Sequence, residues 1–342
     1  MIYPLPLEKG YRIGVTAPSD GIAKEVDFAR FDSAVKHFYE LGYPVTETAH
    51  VRRSEKGRSC DGNTRAKELL ELVQDDQVRV IIAASGGDYL VEMLSHLDLE
   101  VLKDNPKWMQ GFSDITGLSF TVTTNLDIAT IYANNFGSFG MKNWHNSLVQ
   151  NIRILEGQDI VQESFDFFQD GFIERITGLE EFAADKEVQW KILHPSEGKE
   201  KDEMMLSGRA IGGCLDVLLN LVGTRFDTTK KFVEKYQSDG ILWYLESFAL
   251  GSESLVRGLW QLKEAGWFQN AVGFIFGRPC FYHTDTDTTY EEAIISAIGE
   301  LGLPIILEAD IGHKPPQLTM MNGAIATVYS KDGKGNITFK RR

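Results

Sequence analysis

The 342-residue sequence is poor in cysteine: Cys60, Cys214 and Cys280 are far apart and odd in number. It contains no C-x-x-C pair, so neither a disulfide framework nor a zinc-bound one is expected. No apolar run approaches the roughly eighteen residues that a membrane span needs. Residues Met1 to Gly10 carry prolines and Glu8-Lys9 where a secretory leader would be apolar, which predicts a soluble, cytoplasmic chain. Basic side chains are in deficit, 35 Lys and Arg against 49 Asp and Glu, for a formal net charge of −14. Such a chain repels phosphate backbones and anionic lipid heads, so neither a nucleic acid polymer nor a membrane is an expected partner. The basic tail Lys340-Arg341-Arg342 is too short to alter this. Internal repeats and low-complexity tracts are lacking too. What remains, 43% hydrophobic and 25% charged residues, is the composition of a globular protein, and the length predicts two domains.

The first part of the chain alternates strand and helix patterns. Tyr11 to Ala17 is a short apolar run ending at Pro18. Phe28, Phe31, Val35, Phe38 and Leu41 recur at helical spacing, and Pro44 to Thr48 alternates as a strand does. A helix is predicted over 63–73, with Asp61 or Asn63 as its cap. Val78 to Ala84 is a buried strand running into Gly86-Gly87-Asp88. Further strands are predicted at Lys107–Phe112 and Ala129–Ala133, with a helix from Ile115 between them. This order predicts an α/β class: a doubly wound, mostly parallel sheet over residues 1–150. The pattern weakens between 150 and 205, where a linker is placed at 151–175 and Glu197 to Glu203 reads as an exposed loop. A mixed α/β second domain is expected over 176–342. In it Gly212-Gly213 should open a helix, Gly240–Leu245, Val272–Phe276 and Pro304–Leu307 should be strands, and Ala326–Tyr329 with Ile337–Phe339 should form a hairpin.

Chemistry is concentrated where strands end. In Gly111-Phe-Ser-Asp-Ile-Thr116 a serine follows a strand and a helix starts at once, a turn that can lift a hydroxyl out of the sheet. Taken alone, Ser113 reads first as the cap of that helix, with a nucleophile as the alternative. It is not the G-x-S-x-G elbow, because Ile115 stands at the second glycine. Gly86-Gly87 lets the backbone approach an anion, or simply turns. Ligands of doubly wound sheets bind at the carboxyl ends of strands, which would put Ser113 and Gly86-Gly87 in one crevice. Among seven histidines, His313 in Ile311-Gly-His-Lys-Pro-Pro316 is the candidate base, with a surface role as its alternative. His283 precedes an Asp-Thr run lacking the glycine and distal glutamate of a calcium loop, and Thr289 with Glu292 fits a capping box better. Glu246 ends the apolar strand Ile241–Leu245, where a carboxylate is costly to bury unless paired; it caps a helix or orients an imidazole.

With these residues assembled, the chain resembles the LD-carboxypeptidase family of serine peptidases, which includes murein tetrapeptide carboxypeptidases and microcin C immunity peptidases. The resemblance rests on Ile13-Gly-Val-Thr-Ala-Pro-Ser19, Gly86-Gly87, Gly111 to Thr116, Gly208 to Gly213, Leu245-Glu246, Phe276-Gly-Arg278 and Gly312-His313, short pieces in the right order along nearly the whole chain. It implies a triad of Ser113, Glu246 and His313 and an acyl-enzyme mechanism without metal or organic cofactor. It also implies an oxyanion hole from the backbone of Asp114 and of Gly86 or Gly87, a homodimer, and a site built from both domains. Cys214 stands where the family often has asparagine, and Met320 to Gly323 replaces a proline-containing segment; both departures bear on substrate choice. The additional length around 160–205 contains Trp190, which either packs under its own loop or stacks on a nucleobase. Asp88 and Trp190 are therefore the candidate substrate contacts, with a small peptide or an aminoacyl-nucleotide conjugate as partner. A murein tetrapeptide is the alternative substrate. The rival functions are a non-peptidase α/β-hydrolase and a catalytically idle binding protein.

Overall fold

The computed structural model describes residues 1–195, 199–200 and 203–342. The chain forms two compact units, one of residues 1–159 with 173–181, the other of 160–172 with 182–342.

In the first unit, strands β1 (Arg12–Thr16), β2 (Val45–Glu47), β3 (Val78–Ala83), β4 (Trp108–Gly111) and β5 (Thr130–Tyr132) alternate with helices. These are α1 (Glu25–Glu40), α2 (Gly62–Gln74), α3 (Leu90–Leu94), α4 (Leu99–Asp104), α5 (Thr116–Leu126) and α6 (Asn146–Leu155). The strands lie in the order β2-β1-β3-β4-β5 and every pairing among them is parallel. That is the flavodoxin-like, doubly wound order, whose direction reverses between β1 and β3. Consecutive residues of β1 and β3 are buried, as expected of strands covered on both faces. Helix α1 buries Phe31, Ala34 and Phe38 rather than the wider set its spacing predicted, and Phe38 packs on Phe136 and Phe139. Asp61 caps α2 by accepting from the Thr64 N–H. Residues 151–175, expected as a linker, hold the end of α6 and two short strands.

The second unit is built on a sheet whose central strands are β11 (Glu203–Cys214), β12 (Ile241–Glu246), β13 (Ala271–Gly277) and β14 (Ile305–Ala309), mutually parallel. The hairpin of β16 (Ile325–Lys331) and β17 (Lys334–Lys340) extends it antiparallel on one side and ends at β6 (Gln162–Glu163). On the other side β9 (Lys191–His194) and β10 (Lys199–Glu200) add antiparallel strands. Strands β7 (Phe167–Phe168) and β8 (Lys186–Glu187) form a separate pair, and β15 (Met320–Asn322) lies ahead of the hairpin. Helices α7 (Leu215–Leu218), α8 (Thr229–Lys235), α9 (Ser252–Glu264) and α10 (Tyr290–Ile298) connect the parallel strands. The core gathers around Trp243, which meets Trp267 and Phe268.

Two expectations are corrected. Gly212 and Gly213 do not open a helix: they extend β11, paired with Tyr244 and Leu245 of β12, because the strand ladder satisfies their backbone up to Cys214. The exposed loop expected at 197–203 is interrupted by β10 and ends where β11 begins at Glu203; its residues 197–198 and 201–202 lie outside the described set.

Candidate active site

Ser113 stands two residues beyond β4, in a single 3₁₀ turn, Ser113–Ile115, that leads into α5. Its φ is +65°, a left-handed conformation that costs an L-residue about 1–2 kcal/mol. Its side chain caps no helix among the described residues, which removes the capping alternative. A Cβ placed on Gly86 would meet Ser113 Cβ and Oγ at 3.0 Å and the Asp114 nitrogen at 3.9 Å. A side chain at Gly86 would crowd the Ser113 hydroxyl, so glycine there lets the loop after β3 lie against it. Gly87 continues the loop at φ +143°.

Asp114 fastens these parts. Its buried carboxylate accepts from the Ser19 hydroxyl and, at 2.9 Å, from the Leu90 N–H at the start of α3. Ser19 Oγ in turn accepts from the Tyr89 N–H at 3.2 Å, and the Gly86 carbonyl accepts from Asp20 at 3.1 Å. The loops after β1 and β3, on either side of the switch point, are thus bound to the residue that follows Ser113. Burial pushes the Asp114 carboxyl above the usual carboxylate range, an effect the Ser19 hydrogen bond opposes. Arg65, fully buried on α2, donates to the carbonyls of Pro18 and Tyr89 and pairs with Glu92. Asp88 is exposed beside this loop.

In the second unit Glu246 closes β12 with no exposed surface, and its Oε2 lies 2.9 Å from His313 Nδ1. Among the described residues it is the cap residue of no helix; the carboxylate that the sequence placed at the end of an apolar strand is paired with an imidazole. Gly312, at φ +99°, sits so close that a Cβ there would meet the Glu246 carboxyl at 2.7 Å. The His313 ring packs on Phe248, ring centres 4.7 Å apart. Asp216 holds the turn after β12 by accepting from the N–H groups of Phe248 and Ala249, each at 2.9 Å. Cys214 pairs in register with Glu246. Burial first, then the Glu246 and Asp216 charges, push its thiol well above the ordinary range, so it is a neutral, packed group.

Two segments of this chain, 13–133 and 207–328, match the sequence models of the LD-carboxypeptidase N-terminal and C-terminal domains and together cover more than two thirds of it. The chain belongs to the LD-carboxypeptidase family. It is accordingly a hydrolase, a carboxypeptidase. A Vibrio cholerae protein named as a carboxypeptidase is 26% identical over 342 residues, covering 96% of this chain and 95% of its own. The structure of an MccF-like protein from Bacillus anthracis superposes with a TM-score of 0.81 at 25% identity, over 100% of both chains. The microcin C7 self-immunity protein MccF, solved with aspartyl sulfamoyl adenosine, superposes with a TM-score of 0.80 at 20% identity, over 100% of this chain and 99% of its own. The likeness to this last structure is one of fold.

Within this LD-carboxypeptidase, Ser113, Asp114 and Gly86 are brought together in the first unit, and Glu246 and His313 in the second. Trp190 is a correction: it is 3% exposed, ahead of β9, and its indole N–H donates to Asp310 at 3.0 Å. A ring enclosed in this way offers no face for stacking. Asp310 also pairs with the buried Arg278, whose guanidinium donates to the Glu308 carbonyl at 2.7 Å. Trp190 and Arg278 therefore fix Asp310, three residues ahead of His313. The aromatic group that sequence reasoning missed is Phe172, Phe281 and Phe248. Phe172 is 64% and Phe281 48% exposed, with ring centres 5.7 Å apart, and Phe281 meets Phe248 at 5.2 Å. The available signal was Phe172, an aromatic residue in the weakly patterned 150–205 stretch; Phe248 and Phe281 carried none.

Proposed function

We propose that the chain is a serine peptidase working through an acyl-enzyme, with Ser113 as nucleophile, His313 as its base and Glu246 as the orienting carboxylate. The observation that carries this reading is the buried Glu246–His313 pair. A carboxylate on Nδ1 leaves Nε2 as the proton-accepting nitrogen and stabilises the imidazolium formed when a proton arrives. In the proposed cycle Ser113 Oγ bonds to the scissile carbonyl carbon as its proton passes to His313 Nε2. The N–H of Asp114 and that of Gly86 or Gly87 receive the oxyanion. The carbon–nitrogen bond then breaks, His313 protonates the leaving amine, and water releases the acyl group by the same path in reverse. No cofactor has a part in this cycle.

The substrate we favour is an aminoacyl-nucleotide conjugate. Phe172 and Phe281 form an exposed aromatic surface continuous, through Phe248, with the His313 ring, suited to a flat leaving group. Asp88, exposed beside the glycine loop, would favour a substrate ammonium group. The family's name favours the second reading, a murein tetrapeptide that loses its terminal D-alanine. The proposal retains a homodimer, which light scattering of the purified protein measures.

Mass-spectrometric product analysis with aspartyl sulfamoyl adenosine and with a murein tetrapeptide, Ser113→Ala as the blank, tests both readings. Cleavage of the nucleotide conjugate is expected. Release of D-alanine alone would select the murein reading, and equal turnover by Ser113→Ala would overturn the triad.

A further inference from the structure

Away from the residues assigned above, the segment after β2, the residue before the α2 cap and the second turn of α2 bring three unlike donors together. One ring nitrogen of His50, Cys60 Sγ and a Glu68 carboxylate oxygen lie within 4.8 Å of one another. Glu68 is 6% exposed, while His50 and Cys60 are half-buried. Glu68 Oε1 is bonded to His50 Nδ1. An ordinary His–Glu pair would explain that bond, but it leaves Glu68 Oε2 buried with no hydrogen-bond partner among the described residues. A second carboxylate oxygen in that state is costly unless something positive reaches it.

We propose that His50, Cys60 and Glu68 form a binding site for a divalent transition-metal ion of the zinc class. The donor set decides the class: one nitrogen, one sulfur and one oxygen suit Zn²⁺ or Co²⁺ and not Mg²⁺ or Ca²⁺, which take oxygen throughout. A thiolate, a carboxylate and a neutral imidazole together balance the ion's two charges. Tetrahedral zinc, with bonds of about 2.0–2.3 Å, holds its ligand atoms roughly 3.4 Å apart, so the ion would replace the 2.5 Å His50–Glu68 hydrogen bond rather than sit beside it. Three protein ligands leave one position for water. The ion would fasten both ends of the 50–60 loop to α2. That loop also donates from Ser59 to the carbonyls of Ser19 and Ala17, so the site braces the segment that holds Asp114.

The test is a Co²⁺ titration of the full-length protein after chelator treatment, followed by the near-ultraviolet thiolate-to-cobalt band and by thermal melts with Zn²⁺. One equivalent should saturate the band, and Zn²⁺ should displace Co²⁺ and raise Tm. Cys60→Ser should abolish the band, while His50→Ala and Glu68→Gln should each weaken Co²⁺ binding about tenfold or more, roughly 1.4 kcal/mol. If Glu68→Gln does not fold, His50→Ala decides alone. No band in the parent protein, a band that survives Cys60→Ser, or affinity unmoved in the folded second-ligand variants would each overturn the site.

Discussion

Ser113 is held at φ +65°, and the consequence separates stability from function at one position. Replacing it by glycine relieves the left-handed strain but adds freedom to the unfolded chain, so the net gain is about 0.5–1 kcal/mol. Ser113→Gly is therefore expected to melt about 1–3 °C higher than the parent while turnover vanishes. A lower Tm would show that the hydroxyl supports the fold. At Glu246 the logic is electrostatic. Glutamine can still accept from Nδ1–H, so the fold persists, yet the charge that steadies an imidazolium is lost; kcat should fall by about 10³–10⁴ with little change in Tm. Full activity of folded Glu246→Gln would remove that residue from the mechanism. Gly312→Ala presses a methyl against the same carboxyl at 2.7 Å and forces alanine to φ +99°. It should lower activity and stability together, and a folded, fully active variant would mean that the His313 loop does not depend on this packing.

The loops after β1 and β3 and the turn before α5 behave as one element because Asp114 joins them. The bonds from Ser19 and Leu90 both go to Oδ2, so asparagine with its oxygen in that place can keep them. What asparagine lacks is titration. Burial raises the folded carboxyl above its usual value of 3.8, so between the unfolded and folded pKa the native state keeps a proton that the unfolded state has released. Parent stability should therefore fall relative to Asp114→Asn as pH rises through that window and run parallel above it. Urea unfolding from pH 4 to 7 measures the difference, and parallel profiles throughout would refute a raised pKa. Elements were legible where their physics is local. The strand into Gly86-Gly87, the turn at Ser113, the Asp61 cap and the Thr289–Glu292 box were all written in adjacent residues. Gly212-Gly213 misled because glycine at a strand end and before a helix reads alike, and only the pairing with β12 decides between them.

At the scale of the molecule, sequence reasoning reached the doubly wound sheet but not the path of the chain between the units. Trp190 shows the same limit inside the second unit: its indole N–H is bonded to Asp310, far away in sequence, and no local pattern announces such a contact. The same holds for residues 173–181, a weakly patterned stretch that returns to the first unit after 160–172 has entered the second. Arg30 holds this stretch in place. A buried residue of α1, it donates to the carbonyls of Gly178 and Glu180 at 2.7 and 2.9 Å, and Lys142 N–H donates to Leu179 at 2.9 Å. Burial, aided by Arg175, lowers the Arg30 guanidinium to about 10, yet it stays charged at neutral pH, and bonds from a charged donor count for about 1.5–3 kcal/mol each. Arg30→Ala should therefore destabilise the first unit by about 2–3 kcal/mol. Hydrogen exchange should quicken in 173–181 and along α1, with β11 to β14 of the second unit unchanged. Equal acceleration in both units would mean that they unfold as one cooperative body, and no acceleration in 173–181 would mean that something other than Arg30 holds the returning segment.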